Sequence, residues 1–178
     1  MTRNTYSNTL FIDSGAHGLY NEFVIKKKIK RDAKENKYAW YGTTEFWDYV
    51  DTYAKFIKEN KTAIDIFANV DVIFNPEMTW EVQLYMEKKY KIIPLPTIHF
   101  GTDLIWLEKY LKRGYEYIAL GGLGQEAQQN DYIKWADKAY HLICDPVTHL
   151  PKVKVHGFAM TSHRLMSRYP WYSVDSTS

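Results

Sequence analysis

Two aspartates follow short apolar runs, the position at which an α/β protein usually carries its chemistry-bearing side chains. Asp13 follows the run at residues 10–12, and Asp175 follows the run at residues 171–174. A serine comes directly after each of them. If both runs are parallel strands of one sheet, both carboxylates reach the same end of that sheet. We therefore treat Asp13 and Asp175 as a candidate catalytic pair.

Two carboxylates that face one cavity can divide a reaction between them. One stays ionised and acts as the nucleophile, while the other is held protonated and acts as the general acid. Such a pair suits cleavage of a glycosidic or N-glycosidic bond through an oxocarbenium-like transition state. An aspartate at a strand end is more often a turn former or a helix cap. The catalytic interpretation is favoured because several predicted strands end in polar or glycine residues.

Other residues at predicted strand ends are suited to hold a flat ring. They are Asp71, His99, Gly121, Gly122 and His156. Asp71 or Asp65 could accept hydrogen bonds from the edge of a base. Two glycines without side chains let a ring approach the backbone, although a glycine pair after a strand is more often a tight turn. The two histidines are more often satisfied buried groups than ligands.

The elements that position these residues follow from apolar periodicity. Short apolar runs alternate with segments whose apolar residues recur every three or four positions. The runs predict six strands, at residues 9–13, 63–70, 92–98, 115–120, 152–158 and 171–175. The periodic segments predict five helices, at about residues 44–60, 76–90, 104–113, 126–143 and 162–168. Residues 16–43 show no regular pattern.

This alternation predicts the α/β class with a parallel sheet and right-handed crossovers. Both an open doubly wound sheet and a (β/α)8 TIM barrel fit the order of elements. In either arrangement the active face lies at the carboxyl ends of the strands. The 178 residues are enough for one domain with a sizeable core, so we expect a single domain over residues 1–178.

A strongly basic segment lies between residues 26 and 37. Its cations are Lys26, Lys27, Lys28, Lys30, Arg31, Lys34 and Lys37. Against Asp32 and Glu35, these seven positive charges leave a local net charge of +5. We assign Lys26, Lys27, Lys28, Lys30 and Arg31 to contact with a nucleic-acid backbone. A solvated loop without a ligand explains the same charges equally well.

Composition narrows the class of protein. Hydrophobic residues make up 46% and charged residues 25%, which is typical of a globular chain, and the net charge of +2 is too small to indicate nucleic-acid binding by itself. The single cysteine, Cys144, excludes an internal disulfide and a cysteine-rich zinc site. Neither a signal pattern nor a membrane-spanning apolar run is present, so we expect no membrane and a cytoplasmic location.

Five short motifs lie along nearly the whole chain, at residues 12–15 (IDSG), 65–71 (DIFANVD), 98–101 (IHFG), 121–123 (GGL) and 174–176 (VDS). Their order and spacing resemble those of tRNA-guanine transglycosylases. The resemblance is greatest to the phage-type relatives, which are associated with inserting 7-deazaguanine bases into DNA. It implies a (β/α)8 barrel enzyme, a glycosyltransferase without a cofactor. Its partners would be nucleic acid, either DNA or tRNA, and a guanine or 7-deazaguanine base.

The resemblance also implies roles for individual residues. Asp175 falls at the nucleophile that forms a covalent link to the sugar carbon, and Asp13 falls at the general acid/base. Asp71 falls near the acid that reads the base, and Asp65 is the less favoured choice. His99 or Phe100 falls where the tRNA enzymes have a glutamine. We assign base binding to Asp71, Asp65, His99, Phe100, Gly121, Gly122, Leu123 and His156, and we assign no residue to a metal.

The chain departs from the family pattern in two ways. It lacks the cysteine-rich zinc site that follows the nucleophile strand, and its six predicted βα units fall short of the eight of a full barrel. We therefore expect an incomplete barrel, truncated at both ends, whose exposed strand edges favour a homo-oligomer.

Two alternatives stay open. One is a metal-dependent TIM-barrel hydrolase that uses Asp13, His99, His156 and Asp175, although no tight metal-binding spacing is present. The other is a non-catalytic nucleic-acid-binding or assembly module built on an incomplete barrel.

Overall fold

A computed structural model describes residues 9–22, 31–32, 37–121, 129–160 and 162–175. The chain forms two compact units, Met1–Pro94 and Leu95–Ser178, which we call the N-terminal and C-terminal units. Both units contain helices and a parallel sheet, so the predicted α/β class is confirmed. The described strands form separate sheets of two, two and four strands and do not close into a barrel.

The N-terminal unit has short strands and two longer helices. Its elements are β1 (Phe11–Ile12), α1 (Ala16–Tyr20), β2 (Arg31–Asp32), β3 (Lys37–Tyr38), a 3-10 turn (Ala39–Gly42), α2 (Thr44–Glu59), β4 (Ile66–Phe67), α3 (Pro76–Tyr85) and a π-helical turn (Met86–Tyr90). Strands β1 and β4 pair in parallel, and β2 pairs with β3 in an antiparallel hairpin. The prediction that residues 16–43 lack regular structure is therefore wrong.

Side-chain caps begin both long helices of this unit. The Thr43 hydroxyl accepts a hydrogen bond from the Phe46 amide at the start of α2. Asn75 does the same for the Met78 amide at the start of α3, where Pro76 takes the first helical position. The apolar faces of these helices enter one core, whose fully buried members are Phe46, Val50, Ala54, Ile57, Val70, Val72, Val82 and Met86.

The C-terminal unit is a regular alternation of strands and helices. Its elements are β5 (Thr97–His99), α4 (Ile105–Arg113), β6 (Tyr117–Gly121), α5 (Gln129–Ile143), β7 (Lys154–Gly157), α6 (His163–Met166) and β8 (Ser173–Val174). All four strands are parallel, and their spatial order β5-β6-β7-β8 follows their order in the chain. The carboxyl ends of four consecutive strands therefore lie side by side.

The two faces of this sheet differ in chemistry because successive side chains of a strand point to opposite faces. One face carries the fully buried apolar residues Ile118, Leu120 and Val155. The other carries residues that pair across the strands as His99 with Gly121 and as His156 with Ser173. The polar residues found at the strand ends thus belong to one face.

Strand lengths were overestimated from the sequence. The predicted strand at residues 63–70 contains only Ile66–Phe67, and that at residues 92–98 is replaced by Thr97–His99. Apolar residues around these strands are buried without pairing to another strand, as Val70 and Ile92 show. An apolar run in the sequence reflects burial, and the buried residues extend beyond those that pair as strands.

Candidate active site

The Asp175 carboxylate is fixed from two sides at the carboxyl end of β8. Its backbone amide donates to the Gly157 carbonyl, and its own carbonyl accepts from the Met160 amide. Its Oδ1 atom accepts a 2.5 Å hydrogen bond from the Ala159 amide, while the side chain stays 43% exposed. Ala159 has a φ of 56°, a left-handed conformation that is uncommon outside glycine. The chain after β7 thus turns an amide toward one carboxylate oxygen of a side chain that stays partly exposed.

A hydrogen-bonded chain of side chains leads up to the second oxygen. The Tyr117 hydroxyl lies 2.6 Å from Ser173 Oγ, and Ser173 Oγ lies 2.7 Å from Nδ1 of His156. Nε2 of the same imidazole lies 3.8 Å from Asp175 Oδ2. His156 is buried, and the ring of Phe158 packs edge-on against it with 4.6 Å between the ring centroids. Burial raises the pKa of Tyr117 above its usual value, and its hydrogen bond to Ser173 offsets part of that rise.

Gly121 is buried on the same face of the sheet, next to Phe158 and His99. A methyl group at this position would lie 3.6 Å from Cβ of Phe158 and 3.9 Å from Nδ1 of His99, which are ordinary contact distances. The side chains of His99 and Phe158 therefore flank a position that no Gly121 side chain fills.

Two further acidic residues lie in the N-terminal unit, in the segments that follow β1 and β4. Asp13 directly follows β1, and Asp71, which is buried, follows β4. Burial, and next the charge of Asp13, raise the pKa of Tyr49, whose hydroxyl donates a 2.7 Å hydrogen bond to the Ser14 carbonyl. Burial also raises the pKa of Tyr53, and the charges of both aspartates add to that rise. Asp13 and Asp71 therefore lie within electrostatic reach of one tyrosine.

The remaining predicted site residues have other positions. Asp65 precedes β4, and its Oδ2 accepts a 2.8 Å hydrogen bond from the Leu10 amide. Phe100 packs against the rings of Tyr132 and Trp135 on α5. Arg31 lies in β2. Lys26, Lys27, Lys28, Lys30, Gly122 and Leu123 lie outside the described residues.

Sequence reasoning missed Ala159, whose amide binds Asp175, and also Ser173 and Tyr117, which form the hydrogen-bonded chain to His156. A signal for Ser173 existed, because it lies two residues before Asp175 and therefore on the same face of the strand. Tyr117 comes close to Ser173 only through the register of the sheet, which pairs Tyr117 with Lys154 and His156 with Ser173.

Side-chain geometry offers no obvious metal centre in the described part of the chain, where no group of three or more histidine, cysteine, aspartate or glutamate residues could hold an ion. No helix among the described residues is long and apolar enough to cross a membrane. Comparison of the chain with protein families, with curated proteins and with solved structures finds no match.

Proposed function

We propose that this chain is a transglycosylase that exchanges guanine for a 7-deazaguanine base in DNA or tRNA. The observation that carries the proposal is the Asp175 carboxylate, whose side chain is partly exposed after a parallel strand and whose Oδ1 is bound to a backbone amide. A nucleophile needs this combination of a fixed direction and an open face. The choice of base rests on the resemblance of the motifs to tRNA-guanine transglycosylases.

The proposed reaction is a double displacement. In the first step Asp175 Oδ2 bonds to the anomeric carbon, the N-glycosidic bond breaks, and its electron pair leaves with guanine, which takes a proton from Asp13. In the second step the incoming base attacks that carbon and gives its proton to Asp13. The bond to Asp175 breaks and its electron pair returns to the carboxylate. Asp13 and Asp175 belong to different units, so their action on one substrate stays a prediction.

The surroundings of Gly121 are the place where we propose that a planar base binds. The flanking groups, His99 and Phe158, offer an imidazole edge and an aromatic surface, both of which suit a purine-like ring. The target nucleotide would have to leave its stack to reach this position. Asp71, in the N-terminal unit, is the proposed acceptor for the base edge.

The order of the C-terminal strands supports the barrel part of the proposal. Four parallel strands that neighbour one another in chain order, without a reversal, are what consecutive βα units of a (β/α)8 barrel form. An open doubly wound sheet reverses its strand order at a switch point. We accordingly propose a TIM-barrel-like chain that acts on nucleic acid in the cytoplasm.

The test is incorporation of labelled guanine and of labelled 7-deazaguanine into DNA and into tRNA. Wild-type protein should label one of the two polymers, and Asp175→Asn should not. Asp131→Asn is the matched control, because it makes the same chemical change at an exposed residue of α5. Folded wild-type protein that labels neither polymer would overturn the proposal and favour a non-catalytic binding module.

A further inference from the structure

The side chains that approach Asp175 form a hydrogen-bonded chain in which the direction of each bond is linked to the tautomer of His156. A serine hydroxyl has one proton to donate, and a tyrosine hydroxyl likewise has one. When Tyr117 donates to Ser173 Oγ, the Ser173 proton is free to go to Nδ1 of His156. That nitrogen is then an acceptor, so the neutral imidazole carries its proton on Nε2. This nitrogen is the one that lies 3.8 Å from Asp175 Oδ2.

The two oxygens of Asp175 therefore have different surroundings. Oδ1 is bound by the Ala159 amide at 2.5 Å, whereas Oδ2 faces the imidazole at a distance longer than a hydrogen bond. A carboxylate whose Oδ1 is already occupied by a strong donor presents Oδ2 as its better nucleophile. An N–H group beside Oδ2 would stabilise the negative charge that returns to this oxygen when the covalent bond breaks.

We propose that His156 is a positioning residue, held as its Nε2–H tautomer by Ser173 and Tyr117, which makes Oδ2 of Asp175 the attacking and leaving oxygen. This inference rests on the proposed function and gives His156 a role other than base binding. Burial of the ring and its packing against Phe158 leave the imidazole little freedom to rotate. The tautomer therefore determines whether Oδ2 of Asp175 faces an N–H group or an unprotonated nitrogen.

The tautomer can be measured without any substrate. Long-range proton–nitrogen NMR spectra of labelled protein should show Nδ1 of His156 as the unprotonated nitrogen and Nε2 as the protonated one. Ser173→Ala should abolish this preference, and Ser173→Thr, which keeps the hydroxyl, should retain it. Wild-type protein with the proton on Nδ1, or a preference unchanged in Ser173→Ala, would overturn the inference whether or not the chain is a transglycosylase.

Kinetics then distinguish positioning from base binding. If His156 positions Asp175, Ser173→Ala should lower kcat by about a hundredfold, since a misplaced reacting group costs a factor of this order. KM for the incoming base should stay the same, whereas loss of a base contact would raise it. Tyr117→Phe should act in the same direction as Ser173→Ala.

Tyr172→Phe is the matched control. Tyr172 is 59% exposed, precedes Ser173, and packs edge-on against Tyr117 with 5.4 Å between the ring centroids, so losing its hydroxyl should leave kcat unchanged. Active wild-type protein with an unaffected kcat in Ser173→Ala would overturn the inference alone. Inactive wild-type protein that still shows the Nε2–H tautomer would overturn the proposed function and leave the tautomer assignment intact.

Discussion

Two glycines of the same sheet should respond in opposite ways to replacement by alanine. Gly121→Ala adds a methyl group at ordinary contact distances from Phe158 and His99, so the fold can accept it. Gly157→Ala places its methyl group 3.0 Å from Cβ of Met160 and 3.1 Å from the Trp171 ring, which forces these neighbours to move. We expect Gly121→Ala to keep its stability and lose base binding, and Gly157→Ala to lose stability.

The expected difference in stability follows from comparing the two substitutions. Each replaces glycine within a strand, which by itself stabilises by roughly 0.5–1 kcal/mol. Overpacking at Gly157 costs about 1–3 kcal/mol and has no counterpart at Gly121. The free energies of unfolding of the two variants should therefore differ by about 1–3 kcal/mol. For a urea m-value of about 2 kcal/mol/M, their midpoints differ by roughly 0.5–1.5 M.

Urea titrations of both variants measure this difference in stability. Base-exchange kinetics measure the effect of each substitution on binding of the base. An extra methyl group in a site that fits its ligand reduces catalytic efficiency by about 10- to 200-fold. We expect Gly121→Ala to show such a loss with an unfolding midpoint at or above that of wild type. A stable Gly121→Ala protein that exchanges bases as fast as wild type would refute the proposed base site beside Gly121.

Two further predictions concern stability. Asp137→Asn should make the unfolding midpoint less sensitive to acid. Three hydrogen bonds from Arg168, two of 3.1 Å and one of 2.8 Å, lower the pKa of the Asp137 carboxyl in the folded state. Its stabilising effect is therefore present above the unfolded pKa of about 3.9 and is lost as pH falls through the folded value. Between about pH 7 and about pH 3, the urea midpoint should fall more steeply for wild type than for Asp137→Asn. Parallel curves for the two proteins would contradict this prediction. Asn75→Ala should destabilise the N-terminal unit by about 0.5–2 kcal/mol, because the buried amide side chain caps α3 through the Met78 amide. Asn75→Ser should restore most of the loss in the same urea titration, and equal losses in both variants would argue against the cap.

The sequence was sufficient to predict much of the C-terminal unit. Apolar runs and helical periodicity placed its strands and helices, and their regular alternation indicated the parallel pairing that β5 to β8 adopt. His99, Gly121, His156 and Asp175 were expected at carboxyl ends of strands, and the structure places them on one face there. These features depend on local patterns, which a single sequence contains.

What the sequence could not give depends on contacts between distant segments. The register that brings Ser173 beside His156 is set by packing across the sheet, and a shift of one residue would send either side chain to the other face. The left-handed conformation of Ala159 could not be predicted, because no glycine or asparagine occupies that position. In the N-terminal unit, the hairpin at Arg31–Asp32 and Lys37–Tyr38 lies in a charged segment without alternation, which is the usual signal of a strand.

The most direct test of the central claim is capture of the covalent intermediate. Wild-type protein incubated with DNA or tRNA, without an incoming base, should form an adduct that survives denaturation. Peptide mass spectrometry should locate the sugar on Asp175, and added 7-deazaguanine should discharge it from protein that has not been denatured. Asp175→Asn should form no adduct, while Asp131→Asn should form as much as wild type. Base exchange without an adduct, or an adduct on another residue, would contradict the assignment of Asp175 as the nucleophile.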